Sequence, residues 1–397
     1  MGFNRVELVD LHEFFPTRAV GGRFPPADLL LVVNGFEDRS TRYVELLAKF
    51  GASVPAAATM RFNTNRSDNE ARLGSLESGL ANLGATNTFI DVADIDEALP
   101  AYVVETSSQT RFASTPFRVT FDISAASGRI ILRVIRCLFQ LARTDDVAIE
   151  LTIAYTEATE YAPTQADAEA TLASLRPHED RPADASTVDA MSVGPDWEAH
   201  DDGVDVVYTG QSAEGLAERA VVICGFNADR VRVALDAVDP AFNSDMPHPG
   251  VTYIAGEPPA EQLRWRLEVM KQINSYGADT SDFDFHDAST LEYLETLYRL
   301  EDVYNNGFGS QRMTIIPFGS KMQTLAAALF CELHPDVRAH LVAPKRYAGS
   351  DYSNGNGPTH TLSFGDLKTL VGRMASLGNL QYVAREGATT GWTTSTS

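Results

Sequence analysis

Two stretches of this chain share one pattern, in which a buried strand runs into a Gly-Phe turn and a helix follows. The strand LLLVV leads to the turn GFEDR at residues 35–39, and AVVIC leads to GFNADR at residues 225–230. A later helix in each stretch ends in a Gly-Ala pair, at Gly84 and at Gly277. Strands that alternate with helices are typical of parallel α/β sheets. The pattern therefore predicts two α/β halves related by an internal duplication, although unrelated α/β halves can share such an order.

The fold class that we predict is α/β, with two tandem Rossmann-like domains whose sheets are mainly parallel. Copy one is assigned to residues 27–163 and copy two to residues 204–386. A lead-in punctuated by Pro and Gly fills residues 1–26, and an acidic linker fills residues 164–203. We expect residues 387–397 to be a disordered tail.

The composition of the chain argues against two classes of partner, duplex nucleic acid and membranes. The chain has 397 residues and a formal net charge of −22, which opposes broad contact with the phosphates of duplex nucleic acid. No apolar run reaches the length of a membrane span, and Glu7 and Asp10 interrupt any signal-like segment. Isolated cysteines at Cys137, Cys224 and Cys331 are typical of buried, reduced thiols. We therefore expect a cytoplasmic protein that binds neither a membrane nor duplex nucleic acid.

The strongest candidate for chemistry is the stretch MTIIPFGSKM, from Met313 to Met322. It reads as a strand, a tight turn at Gly319 and a helix capped by Ser320, with Lys321 beside the helix start. Free N–H groups and the helix dipole favour an anion at such a point. The stretch lacks the second Gly of a Walker A loop. The alternative is an ordinary capped turn with a solvated lysine.

Ligands in doubly wound sheets bind beyond the carboxyl ends of the strands, and this rule selects two sets of residues. Copy two offers a basic set, and copy one offers an acidic and polar set. We predict ligand binding by Gly319, Ser320, Lys321, Thr324, Lys345, Arg346 and Tyr347 from copy two and by Glu37, Arg39, Asp122, Ser124, Ser127 and Arg129 from copy one. If the copies face each other, a basic wall meets an acidic one. The alternative is that these are solvated loop charges.

Other candidates favour structural roles. Arg129, Arg133 and Arg136 share one helical face, which in an acidic protein indicates a salt-bridged surface and otherwise a docking face. The run 282–287, DFDFHD, carries metal-ligand residue types, but ligands spaced along one strand lie too far apart for one ion, so no metal is predicted. His360 is expected to be a polar surface residue. No cofactor is predicted, and no catalytic residue is assigned.

The stretch Gly319-Ser320-Lys321-Met322-Gln323 resembles the late motif of CARF domains, the CRISPR-associated Rossmann-fold sensors. Residues 122–129, DISAASGR, look like a looser version of it in copy one. The resemblance implies paired Rossmann-like copies that bind a nucleotide messenger, typically a cyclic oligoadenylate, across their interface. It also implies a role in prokaryotic antiviral defence.

Three classes of function remain open at this point. We favour a sensor that binds a nucleotide or another phosphate-bearing small molecule between the copies. The first alternative is an enzyme that cleaves the bound nucleotide, as a phosphodiesterase or nucleotide hydrolase, and the second is a scaffold with decayed sites. Whether a protein partner is also bound stays open.

Overall fold

The computed structural model describes residues 11–21, 24–62, 66–109, 116–144, 146–175, 199–210, 216–238, 250–275, 279–307, 311–344 and 353–375. Within these ranges the chain forms two largely parallel sheets flanked by helices, which confirms the predicted fold class. Lys345, Arg346, Tyr347 and the predicted tail lie outside the described residues.

The first half follows the predicted alternation of strands and helices. After a short strand β1 (Ala19–Val20), it comprises β2 (Leu29–Asn34), α1 (Arg42–Lys49), β3 (Ala56–Arg61), α2 (Arg66–Glu70), α3 (Leu73–Asn82), β4 (Thr86–Asp91), α4 (Ile95–Gln109), β5 (Phe117–Asp122), α5 (Gly128–Thr144) and β6 (Ile149–Thr156). Every residue of β2 is buried, as its unbroken apolar sequence predicts for a central parallel strand.

A connecting segment and the second half repeat this alternation. They comprise β7 (Glu160–Tyr161), α6 (Gln165–Leu175), β8 (Ala199–Thr209), β9 (Ala217–Ile223), α7 (Ala228–Val238), β10 (Val251–Glu257), α8 (Trp265–Asn274), β11 (Phe285–Ser289), α9 (Tyr293–Gly307), β12 (Gln311–Pro317), α10 (Lys321–Leu333), β13 (Arg338–Pro344), β14 (Ser353–Asn354) and β15 (Thr359–Asp366). Short 3-10 turns lie at Leu11–Glu13, Asp38–Ser40, Val92–Asp94, Glu261–Leu263 and Thr280–Asp282.

The two sheets have the same strand order. The first runs β1-β15-β6-β5-β2-β3-β4, and the second, read from its antiparallel edge, runs β8-β13-β12-β9-β10-β11. In each half the first strand of the repeat lies centrally, between the second and the fourth. This is the arrangement in which the crevice for a ligand opens beyond the carboxyl ends of the central strands.

The antiparallel edge strands are exchanged between the halves. Strand β8 follows the first half along the chain but pairs with β13, and β15 follows the second half but pairs with β6. The predicted copy two, residues 204–386, thus includes a strand of the first sheet. The predicted linker, residues 164–203, contains α6 and the start of β8.

Helices α5 and α10 pack against each other between the two sheets. Residues Met322 to Leu333 of α10 are buried without a break, as expected for a helix enclosed on all sides. The helices run in the same direction: Lys321 at the start of α10 reaches Ala126 just before α5, and Arg143 near the end of α5 pairs with Glu332 near the end of α10. Their N-termini therefore meet at the carboxyl ends of both sheets.

Candidate functional site

A cluster of buried charges lies where the two halves meet beyond their strands. Glu37 follows β2 in the first half, and its carboxylate lies 3.4 Å from the Nζ of Lys321, which begins α10 of the second half. Arg39 donates to the same carboxylate at 2.7 Å. The side chains of Glu37 and Arg39 are 8% and 4% exposed, and that of Lys321 is 20% exposed. One cation of copy two, Lys321, thus meets one carboxylate of copy one, Glu37.

Lys321, at the start of α10 in the second half, is held by two groups of the first half. Besides Glu37, its ammonium donates to the carbonyl oxygen of Ala126 at 3.0 Å. Burial lowers the pKa of Lys321 to about 8, because the opposing charge of Glu37 compensates for only part of the lost hydration and Arg39 adds repulsion. Lys321 is therefore not the freely solvated lysine of the alternative interpretation.

Glu37 stays ionised despite its burial. Burial alone opposes the charge, but Lys321 and Arg39, together with a hydrogen bond from Ser353, lower its pKa to about 2. The Ser353 hydroxyl donates to the carboxylate at 2.5 Å. Ser353 begins β14, so this short strand contacts the cluster. The sequence predicts no role for Ser353, because only the fold brings it to Glu37.

Asp122 lies at the end of β5, beside the same cluster. Burial raises its pKa to about 6, although hydrogen bonds from Ser124 and the charges of Arg39 and Lys321 act in the opposite direction. The amide of Ser124 donates to Asp122 at 3.0 Å, and the Ser124 hydroxyl accepts from the Thr156 amide at 2.8 Å. These two predicted residues shape the turn before α5.

The predicted anion site at the N-terminus of α10 already has partners within the protein. The Ser320 hydroxyl accepts from the Gln323 amide at 3.1 Å, and the Gln323 side chain accepts from the Ser320 amide at 3.0 Å, which completes a capping box. A Cβ atom at Gly319 would lie 2.6 Å from the Ile223 Cγ2 in the core as well as 2.5 Å from the Gln323 Oε1, so this tight turn favours glycine. Thr324 is turned inward and donates to the Ser320 carbonyl.

Two further predicted residues lie at the start of α5 with structural partners. The Ser127 hydroxyl accepts from the Ile130 amide at 3.4 Å and caps the helix. Arg129 pairs with Asp205 of β8 at 2.7 Å. Arg133 and Arg136 pair with Asp96, and Arg133 also pairs with Asp205. The arginine stripe is thus a salt-bridged face within the chain, as the first of its two interpretations expects.

His360 is buried, so the expectation of a surface histidine was wrong. Its Nδ1 lies 2.8 Å from an Arg18 nitrogen, and its Nε2 lies 2.6 Å from the Glu157 carboxylate. Because arginine only donates, Nδ1 accepts and Nε2 donates to Glu157. Arg18 also donates to Glu292 at 3.0 Å, so the network ties the lead-in to both halves.

No group of three or more His, Cys, Asp or Glu side chains within the described ranges is arranged to hold a metal ion. Asp284, one of the residues weighed for a metal, accepts from Thr252 at 2.7 Å and lies 3.1 Å from His286. In the part of the chain that the structure describes, no helix combines the length and apolarity that crossing a membrane requires.

Comparisons with known proteins leave the function open. No protein-family model matches the chain. No curated protein matches it either. Among solved structures, a crystal structure of an uncharacterized protein from Alicyclobacillus acidocaldarius aligns with 34% of this chain and 75% of that chain, at 11% identity and a TM-score of 0.23. A likeness this slight constrains neither the fold nor the function.

Proposed function

We propose that the chain is a binding protein, a sensor, for a nucleotide or another phosphate-bearing ligand held between its two halves. The observation that carries the proposal is the meeting of two helix N-termini with Lys321 and Arg39 at the carboxyl ends of both sheets. Two positive dipole ends and two cations create a strong local preference for an anion in an otherwise acidic protein. Glu37 supplies that anion within the chain.

A ligand phosphate would bind by taking the place of the Glu37 carboxylate beside Lys321. The Lys321–Glu37 separation of 3.4 Å is long for a charge-assisted hydrogen bond, and the Lys321 side chain is 20% exposed. Lys321 is thus the cation of the cluster with the looser partner and the greater access to solvent. A role in prokaryotic defence rests on the CARF resemblance alone.

A specific observation also favours the scaffold alternative. The capping box occupies the Ser320 and Gln323 amides, and Glu37 pairs with Lys321, so these groups have partners without a ligand. Under that alternative the cluster only joins the halves.

One experiment separates the three classes of function. Purified protein is incubated with a panel of nucleotides at pH 7, and both the bound and the released species are identified by mass spectrometry. Intact retention supports the sensor, conversion indicates an enzyme, and no retention across the panel indicates the scaffold.

The variant Lys321→Met tests the site itself. Loss of a charge-assisted contact weakens binding by about ten- to a hundredfold. Lys368→Met is the matched control, because Lys368 is exposed and follows β15, which ends beside Glu150 at the opposite end of the first sheet. If Lys321→Met retains the affinity of the parent chain while folding normally, the cluster is not the binding site.

A further inference from the structure

The two halves share a strand order, so each position at the interface has a counterpart in the other half. The caps of α5 and α10 align these positions. Ser127 accepts from Ile130 three residues later, and Ser320 accepts from Gln323 three residues later. The residue that follows each cap is Gly128 in the first half and Lys321 in the second.

The counterpart of Lys321 therefore has no side chain. A Cβ atom at Gly128 would already contact the Thr324 side chain at 3.5 Å and the Pro317 carbonyl oxygen at 3.7 Å, both from the second half. These are ordinary van der Waals distances, so Gly128 lies against the second half at the position that corresponds to Lys321.

The carboxylate of the cluster also occurs in only one of the two turns that correspond to each other. The turn GFEDR places Glu37 after β2, whereas the turn GFNADR has Asn227 and Ala228 at the corresponding place, and neither is charged. Asn227 accepts from the Arg230 amide at 3.0 Å and caps α7. Arg230, the counterpart of Arg39, donates to the Val342 carbonyl at 2.6 Å instead of to a carboxylate.

Arg39 retains an unused donor. Its side chain is 4% exposed, and its Nε has no hydrogen-bond partner among the described residues. A buried donor without a partner is costly, and a group that accepts from it would be bound favourably. The guanidinium donates to Glu37, the same carboxylate that Lys321 pairs with, so Arg39 and Lys321 belong to one cluster.

We infer that the ligand lacks two-fold symmetry and presents one terminal phosphate to Lys321 and Arg39, as a linear 5′-phosphorylated nucleotide does; this inference rests on the proposed function. A phosphate monoester carries a charge of about −1.5 to −2 at neutral pH, whereas a diester carries about the same single charge as Glu37. Only the monoester has the electrostatic advantage needed to displace the carboxylate. A symmetric cyclic ligand would place its second phosphate beside Gly128, where the counterpart of Lys321 has no side chain and the neighbouring Arg129 is already paired with Asp205, so that phosphate would be desolvated at a high cost.

The test compares linear 5′-phosphorylated dinucleotides of each of the four bases with the cyclic dinucleotides of the same bases. Binding to the full chain is measured by isothermal titration calorimetry at pH 7. We expect one linear ligand per chain, bound at least about tenfold more tightly than its cyclic counterpart. Lys321→Met should weaken the linear ligand about ten- to a hundredfold, and Lys368→Met should not.

Each other outcome overturns the inference. Cyclic dinucleotides that bind as tightly as linear ones, or two linear ligands per chain, contradict it and leave the proposed function standing. No binding of either set also contradicts the inference, and the panel of nucleotides described above then decides whether the proposed function stands. If Lys321→Met fails to fold, the comparison of the two ligand sets on the unchanged chain still decides.

Discussion

Replacing Glu37 by Gln tests whether the charge cluster stabilises the junction between the halves. The substitution retains the size of the side chain and its ability to accept from Arg39 and Ser353, but it leaves Lys321 and Arg39 without their shared counter-ion. At about 1.4 kcal/mol for each pKa unit, a drop in the pKa of Glu37 from 4.5 to about 2 corresponds to about 3.5 kcal/mol. Breaking a buried pair by removing one partner costs about 3–5 kcal/mol, which agrees.

The assay is urea denaturation of the full chain followed by far-UV circular dichroism. We expect the free energy of unfolding at pH 7 to fall by about 3.5 kcal/mol in Glu37→Gln. The matched control is Glu261→Gln: Glu261 is 84% exposed and lies 3.6 Å from Arg264, and the loss of such a surface pair changes stability by at most about 1 kcal/mol. Equal effects of the two substitutions would refute the assignment of a stabilising role to Glu37.

The difference in the free energy of unfolding between the parent chain and Glu37→Gln should depend on pH in a definite direction. The folded-state pKa of Glu37 lies below its ordinary value of 4.5, so its contribution is fully present above pH 4.5 and is lost as the pH falls toward 2. The difference in stability between the parent chain and Glu37→Gln should therefore shrink below pH 4.5. A difference that stays constant down to pH 2 contradicts the electrostatic origin of the effect.

Three further predictions concern binding, strand exchange and the thiols. Because the pKa of Lys321 is about 8, the affinity for a 5′-phosphorylated dinucleotide should fall as the pH rises from 7 to about 9, and Lys321→Met should remove this decline in calorimetric titrations. Leu362 is buried in the exchanged strand β15, so Leu362→Ala should lower the free energy of unfolding by about 2–5 kcal/mol in urea titrations; a change below about 1 kcal/mol means that β15 is dispensable for the first sheet. Burial raises the pKa of the thiols of Cys137, Cys224 and Cys331, so Ellman's reagent should modify them only under denaturing conditions, and rapid labelling of the native chain would contradict their burial.

Local pattern was sufficient to predict the central strands of both sheets. The run LLLVV and its counterpart AVVIC are continuous apolar segments, and each forms a strand buried on both faces. The helices α4 and α9 were not assigned from the sequence. Pro100 lies inside α4, where proline ordinarily predicts the end of a helix.

Strand pairing and side-chain contacts between segments far apart in the sequence could not be predicted. Nothing in the sequences of β8 and β15 specifies that each pairs with the sheet of the other half, because edge pairing depends on where the chain returns in space. The same limit applies to the site. Glu37 and Lys321 were each selected by their position after a strand, but their direct contact follows from the packing of α5 on α10.

Because the two halves are joined in one chain, the residues at corresponding positions of the interface could diverge from each other. In a homodimer with two-fold symmetry every contact occurs twice, so a Lys–Glu pair across the interface would be accompanied by an identical second pair. In a single chain the two copies can change independently, and here Gly128 and Asn227 stand where that second pair would lie. Four buried charges near one axis would carry a larger desolvation cost than two. The single pair therefore keeps an ionic contact between the halves and limits the number of charges that the interface must bury. Within the described part of the interface, it leaves Lys321 as the one lysine through which an anion could act on both halves.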